Sequence, residues 1–329
     1  MTEVKDYAVR VEGLSKTFRH ARRRSGSRRD VHAVRDVSLA VEQAECLGIA
    51  GESGSGKSTL ARMLVGLEPP SAGSIWVKGE RLPERPKSSD RRLHARRIQM
   101  VFQDPYSSLD PRQSVGRVLD EVQRVHFDRD RPSRAARSAK LLDAVGLNAE
   151  YASAVPRSLS GGQRQRLAIA RVLAAEPSVI VLDEAVSALD VSIQAQILNL
   201  LSDLRTEFSL TYIFISHDLA VIRQVSDRVM VLYRGRLMEQ AGAEEIFDSP
   251  HHPYSQLLLD SAPRARMSLQ QRPERGFLAD DGCLFRGRCI HAYARCQTEP
   301  PLLPVSPSAQ ARCWLAEEDP VTGQPKEKP

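Results

Sequence analysis

The sequence contains no apolar run near the roughly 20 residues that a helix needs to cross a bilayer, so nothing in it predicts a membrane-spanning helix. Aromatic residues make up only 5% of the 329 residues. They are not interleaved with arginine, which speaks against a base-stacking platform for nucleic acid. The opening Met1-Thr-Glu-Val-Lys-Asp6 is too charged to begin a secretory signal. Internal duplication is missing as well, because each of the motifs described below occurs once. Cysteine is nearly absent before residue 283, where Cys46 stands alone. These absences predict a cytoplasmic chain, held at a membrane only through a partner. With 41% hydrophobic residues, the chain has enough apolar material for one sizeable core and a smaller appendage.

Three motifs carry chemistry. The first is Gly51, Glu52, Ser53, Gly54, Ser55, Gly56, Lys57 and Ser58. This is a phosphate-loop pattern, whose glycines let successive backbone N–H groups curl around an anion. Lys57 adds a point charge and Ser58 a hydroxyl for Mg²⁺. The run Cys46-Leu-Gly-Ile-Ala50 before the loop reads as a strand, and Thr59 to Val65 after it reads as a helix that aims its positive end at the same anion. The second motif is Val179-Ile-Val-Leu-Asp183-Glu184. Its unbroken apolar stretch predicts a buried parallel strand with two carboxylates at its exit, the edge where open α/β sheets bind ligands. Asp183 then suits the magnesium shell, and Glu184 suits the attacking water. Two further apolar strands, Ile98 to Phe102 and Thr211 to Ser216, are followed by Gln103 and His217 on the same expected edge. Gln103 suits both magnesium and the water, and His217 the γ-phosphate and Glu184.

The third motif is Leu159-Ser160-Gly161-Gly162-Gln163. Ser160 caps the helix that follows, and the two glycines leave its first amides bare for an anion. One cradle and one such helix start make half of a site, which predicts a dimer of cassettes. In this position the motif resembles the signature of ATP-binding cassette (ABC) proteins, and the resemblance runs from about Tyr7 to Glu245. It implies an α/β fold of the P-loop NTPase kind: a RecA-like parallel sheet core, an antiparallel β layer and a helical subdomain at about 104–175. It also implies an adenine-stacking role for Phe18, a Q-loop at Gln103, a D-loop ending at Asp190 and an H-loop at His217. In such proteins the signature of one subunit closes over the nucleotide held by the other. Ala44 and Ala185 depart from the usual glycine and proline, but neither supplies a group that phosphate chemistry needs, so the site reads as hydrolytically competent.

Net charge is +6, and the densest basic stretch runs from Arg19 through Arg22, Arg23 and Arg24 to Arg28 and Arg29. It suits acidic lipid or nucleic acid, but its place between two strand-like segments favours a solvated hairpin loop. Residues 81–97 read as a polar surface connection. Val115 to Val125 and Ala135 to Val145 have apolar residues at helical spacing. Strands and helices then alternate from Ser178 to about Met238, the rhythm of a parallel sheet.

Past Glu245 the composition shifts, and residues 246–329 read as a C-terminal extension to a cassette at 1–245. His251-His-Pro-Tyr254 introduces a short helix. Cys283, Cys289, Cys296 and Cys313 then stand in proline-rich coil. Four clustered cysteines in a reducing compartment favour metal over disulfide. Their spacing lacks paired C-x2-C knuckles, which favours a [4Fe–4S] cluster over zinc, with Arg286 and Arg288 offsetting its charge. The extension resembles that of ATPase subunits in oligopeptide and dipeptide importers. That resemblance implies a second and different cassette, two transmembrane permease subunits, an extracytoplasmic solute-binding protein and a place at the cytoplasmic face of the membrane. Its implied cargo is a peptide, with nickel or another small solute as the alternative. A soluble ABC ATPase acting on nucleic acid or ribosomes fits less well, since two cassettes, coiled-coil arms and insertions are all lacking.

Overall fold

The computed structural model describes residues 7–19, 30–104, 109–260 and 282–317. Arg22, Arg23, Arg24, Arg28 and Arg29 of the basic stretch lie outside the described residues, so the reading of that stretch as a loop is not addressed. The described chain forms two compact units, one drawn from residues 1–14, 38–46 and 58–215 and the other from 15–37, 47–57 and 216–329.

In the first unit, three parallel strands are built from continuously apolar segments. They are β6 (Ile98–Val101), β7 (Val179–Asp183) and β8 (Thr211–Ile215). Ile98 pairs with Val179, and Val179 with Thr211. Every residue of β7 and β8 is buried, as strands covered on both faces require. Helix α5 (Gly161–Leu173) lies against β6 and against α6 (Val191–Phe208). Helices α3 (Val115–His126) and α4 (Arg131–Ala144) pack on one another, close to their predicted spans. Asp130 caps α4 by accepting from the Ser133 amide, with Pro132 in the first turn. Strands β1 (Val9–Phe18) and β2 (Val31–Val41) each contribute residues to both units, and within the first unit β4 (Ala72–Val77) and β5 (Glu80–Arg81) pair antiparallel.

The polar stretch read as a surface connection contains a helix, α2 (Ser88–Arg97). It has no apolar stripe to betray it. Asp90 caps it by accepting from the Lys87 amide at 2.8 Å, and buried His94 bonds the Leu64 carbonyl at 2.8 Å. Burial holds the His94 imidazole below its ordinary pKa.

Ala44 occupies the left-handed region at φ +59°, which is why a glycine would suit the turn. It is held there by bonds at both ends: its amide donates to Thr211 Oγ1 at 2.9 Å, and Arg205 Nε donates to its carbonyl at 2.9 Å. Ala44→Gly is expected to stabilise the protein by about 0.5–1 kcal/mol, the left-handed penalty less the glycine's extra chain entropy. Thermal unfolding checks this, and a lowered midpoint contradicts it.

In the second unit, β3 (Cys46–Ala50) pairs in parallel with β9 (Arg228–Tyr233), and β9 pairs antiparallel with β10 (Arg236–Gly242). The C-terminal part of the chain completes this unit. Strand β12 (Gln310–Ala311) pairs with β10, and β11 (Leu303–Pro304) with β12. The short helix expected after the histidine pair is α7 (Pro253–Asp260). Its entry is fixed by Glu239, fully buried in β10, whose carboxylate accepts from the amides of His251 and His252 at 2.7 and 3.0 Å. Burial raises the pKa of that carboxyl.

Candidate active site

The phosphate loop belongs to the second unit. Lys57 is 5% exposed and its ammonium donates to the Gly51 carbonyl at 2.7 Å and the Glu52 carbonyl at 2.9 Å. Buried Ser55 lies 3.5 Å from the same nitrogen. Gly54 and Gly56 have φ of +79° and +103°, left-handed values that side chains resist. At Gly56 the backbone approach is absolute, since a Cβ there meets the Ala33 carbonyl oxygen at 2.2 Å. Helix α1 (Lys57–Leu64) starts on the loop's lysine, two residues earlier than the sequence suggested. Thr59 follows in its first turn.

The carboxylates belong to the first unit. Ser58 Oγ donates to Asp183 Oδ1 at 3.1 Å, so a hydroxyl and a buried carboxylate stand side by side, the oxygen pair a hard cation takes. Gln103, two residues past β6, donates through Nε2 to Glu184 Oε2 at 2.9 Å. Glu184 sits at φ +49°, a left-handed value for a residue with a side chain. Its amide donates to the Ile215 carbonyl at 2.9 Å, and the Ser187 amide and hydroxyl donate to its carbonyl at 3.1 and 3.0 Å. Backbone strain held by surrounding bonds is a mark of functional positions. The first unit therefore joins Ser58 to Asp183 and Gln103 to Glu184.

His217 and Phe18 belong to the second unit. His217 is exposed just past β8, and Phe18 is 38% exposed with the Lys16 ammonium 5.1 Å from its ring centre.

The model of the ABC transporter family matches residues 34–187, and that of the oligopeptide/dipeptide transporter C-terminal region matches residues 238–296. A putative peptide import ATP-binding protein of Brucella abortus (strain 2308) is 44% identical over 94% of this chain and 95% of its own. The oligopeptide transport ATP-binding protein AppF of Bacillus subtilis (strain 168) is 43% identical over 87% of this chain and 90% of its own. The chain belongs to the ABC ATPases of the oligopeptide/dipeptide transporter group. Among solved structures, cbiO1 from Clostridium perfringens, part of the ABC transporter complex cbiONQ, matches at TM-score 0.64 and 28% identity, covering 74% of this chain and 92% of that one. The ATP-binding cassette MJ0796, in a dimeric post-hydrolysis state bound to ADP and Pi, matches at TM-score 0.62 and 27% identity over 71% of this chain and 98% of that one.

In this ABC ATPase the signature is built as a capping box. Ser160 Oγ accepts from the Gln163 amide at 3.3 Å, and Gln163 Oε1 accepts from the Ser160 amide at 2.9 Å. Gln163 also donates to the Tyr151 hydroxyl at 2.9 Å. Ser160 and Gly161 are exposed, while Gly162 is buried where a Cβ would meet Ile193 Cγ2 at 2.8 Å. Asp190, exposed, caps α6 with its backbone, its carbonyl accepting from the Gln194 amide at 2.8 Å.

The described structure gives the four-cysteine expectation no formed metal site. Cys283, Cys289, Cys296 and Cys313 lie within electrostatic reach of one another and none is disulfide-bonded. Among the described residues, however, no three His, Cys, Asp or Glu side chains stand close enough to hold a metal ion. Burial pushes the Cys283 thiol up to about 11 and Cys313 to about 12. The donor set as it stands does not fit a cluster or zinc. Arg288, expected to offset cluster charge, is instead paired with Glu52 in the phosphate loop.

Proposed function

We propose that this chain is the ATP-hydrolysing subunit of a peptide importer, with the cassette at 1–245 and the extension at 246–329. The observation that carries the reading is that one chain holds a complete phosphate loop, a carboxylate pair and a single signature helix start, with an extension that matches the oligopeptide/dipeptide transporter model. Peptide import in the relatives' names supports the choice of cargo.

In this reading the phosphates of ATP lie in the cradle of Gly51, Ser53, Gly54, Ser55, Gly56 and Thr59, and Lys57 exchanges its two loop carbonyls for phosphate oxygens. Ser58, Asp183 and Gln103 hold Mg²⁺, whose charge screens the polyphosphate. Glu184 orients the attacking water and takes its proton, steadied by Gln103 and His217, and Phe18 stacks on adenine. Ser160, Gly161, Gly162 and Gln163 face the nucleotide of a second cassette, with Asp190 at the same junction. ATP binds the closed pair more tightly than the open pair, and that difference is the work available to the permease.

The partners this reading assigns are a second, non-identical cassette, two permease subunits and, through them, an extracytoplasmic binding protein. The chain then sits on the cytoplasmic face of the membrane. Among the described residues no helix is long and apolar enough to cross a membrane. Mass spectrometry of proteins recovered with the tagged chain from gently solubilised membranes tests the assignment. Two permease subunits and a second cassette are expected; a ribosomal or nucleic-acid partner instead would contradict it.

The finer reading of the extension, a [4Fe–4S] cluster with zinc as its alternative, rests on the nearness of the four thiols and requires the sulfurs to ionise and draw together. On that reading, elemental analysis of chain isolated without oxygen finds about four iron atoms, or one zinc, per molecule. Metal-free protein rejects both.

A further inference from the structure

Glu52 is the one acid among the eight residues from Gly51 to Ser58, and an acid in a cradle for polyphosphate opposes the ligand unless something cancels it. The C-terminal extension reaches this residue. Arg288 donates through Nη1 to Glu52 Oε2 at 2.9 Å and through Nη2 to Oε1 at 2.8 Å, a bidentate pair of the strong kind. The guanidinium side chain is only 17% exposed and lies 5.8 Å from the Tyr233 ring and 5.7 Å from the Phe285 ring. The Glu52 amide donates to the Tyr254 hydroxyl at 3.0 Å. Tyr254 is fully buried, its ring 4.6 Å from Tyr233 and 5.3 Å from Phe285. Both ends of Glu52 are thus fastened by the extension. The helix carrying Tyr254 is in turn fastened by Glu239 through the two histidine amides.

We propose that Arg288 is a positioning residue of the nucleotide site, turning aside and neutralising the Glu52 carboxylate so that the loop accepts phosphate. This rests on the ATP-site reading given above. Without the guanidinium, the carboxylate is an unpaired negative charge on the loop that must hold a polyanion. Affinity for MgATP then falls by about tenfold or more.

Equilibrium binding of MgATP to the full chain tests this with four proteins: wild type, Arg288→Ala, Arg288→Gln and the double variant Arg288→Gln with Glu52→Gln. Both single variants are expected to bind about tenfold more weakly, and removing the acid in the double variant restores affinity to within about threefold of wild type. Thermal unfolding of each protein accompanies the titration, so that a misfolded Arg288→Ala leaves the milder glutamine pair to decide. Unchanged affinity in Arg288→Gln overturns the proposal. So does a double variant as weak as the single one, because a purely structural loss is not repaired by neutralising Glu52. A wild-type chain that binds no MgATP would instead overturn the ATP-site reading itself.

Discussion

Glu184→Gln is expected to bind MgATP as the wild type does and to hydrolyse it about 10²–10⁴-fold more slowly, the range for loss of a positioned general base. The substitution keeps size and hydrogen-bonding shape while removing the basic oxygen. Gln103 still has an acceptor in the new amide at the position where it now meets Glu184 Oε2 at 2.9 Å, so the loss is one of chemistry rather than folding. The same variant should accumulate as an ATP-bound dimer, because the step that reopens the pair is blocked. Single-turnover phosphate release and gel filtration with MgATP check both parts. Wild-type turnover in this variant would remove Glu184 from its role, since a glutamine amide cannot take the water's proton.

Gly56→Ala is expected to abolish nucleotide binding and to destabilise the fold by about 2–4 kcal/mol. Two independent causes act at the same atom. The φ of +103° lies where a Cβ is resisted, and the added carbon would sit 2.2 Å from the Ala33 carbonyl oxygen. Backbone cannot swing away as a flexible side chain can, so the loop must move, and with it the amides that surround phosphate. Gly54 offers an internal comparison, having φ +79° and nothing within 4 Å of its would-be Cβ. An alanine there meets the backbone strain without the clash and should lose less. Titration with MgATP and chemical unfolding check the pair; equal losses at both positions would contradict the steric argument.

How much of this was legible in the sequence depended on whether the signal was local. The buried strands Val179–Asp183 and Thr211–Ile215 declare themselves by unbroken apolar runs, and the phosphate loop by glycines within eight residues. The signature helix announced its cap in Ser160. Helix Ser88–Arg97 was hidden because charged residues fill it and its hold on the core comes from one histidine. The bond between Glu52 and Arg288 was hidden for another reason: the partners are 236 residues apart, and no spacing rule reaches that far. A usable clue did exist, an acid within an anion-binding loop, which by charge alone demands a cation somewhere. Glu239 was likewise unreadable, since a buried carboxylate in a strand looks like any solvent-facing glutamate until the His251 and His252 amides are placed on it. The cysteines were legible only as a spacing, which suggested a metal centre, and among the described residues no three candidate ligands stand close enough to hold one.

The central claim, that ATP hydrolysis by this chain drives peptide import, is tested most directly by uptake of a radiolabelled peptide mixture into cells whose only copy of the chain is wild type or Glu184→Gln. The account predicts uptake with the wild type and none above the deletion background with the variant, at equal amounts of protein in the membrane. Undiminished uptake with Glu184→Gln, or none with either allele while the wild-type chain hydrolyses ATP, would contradict it.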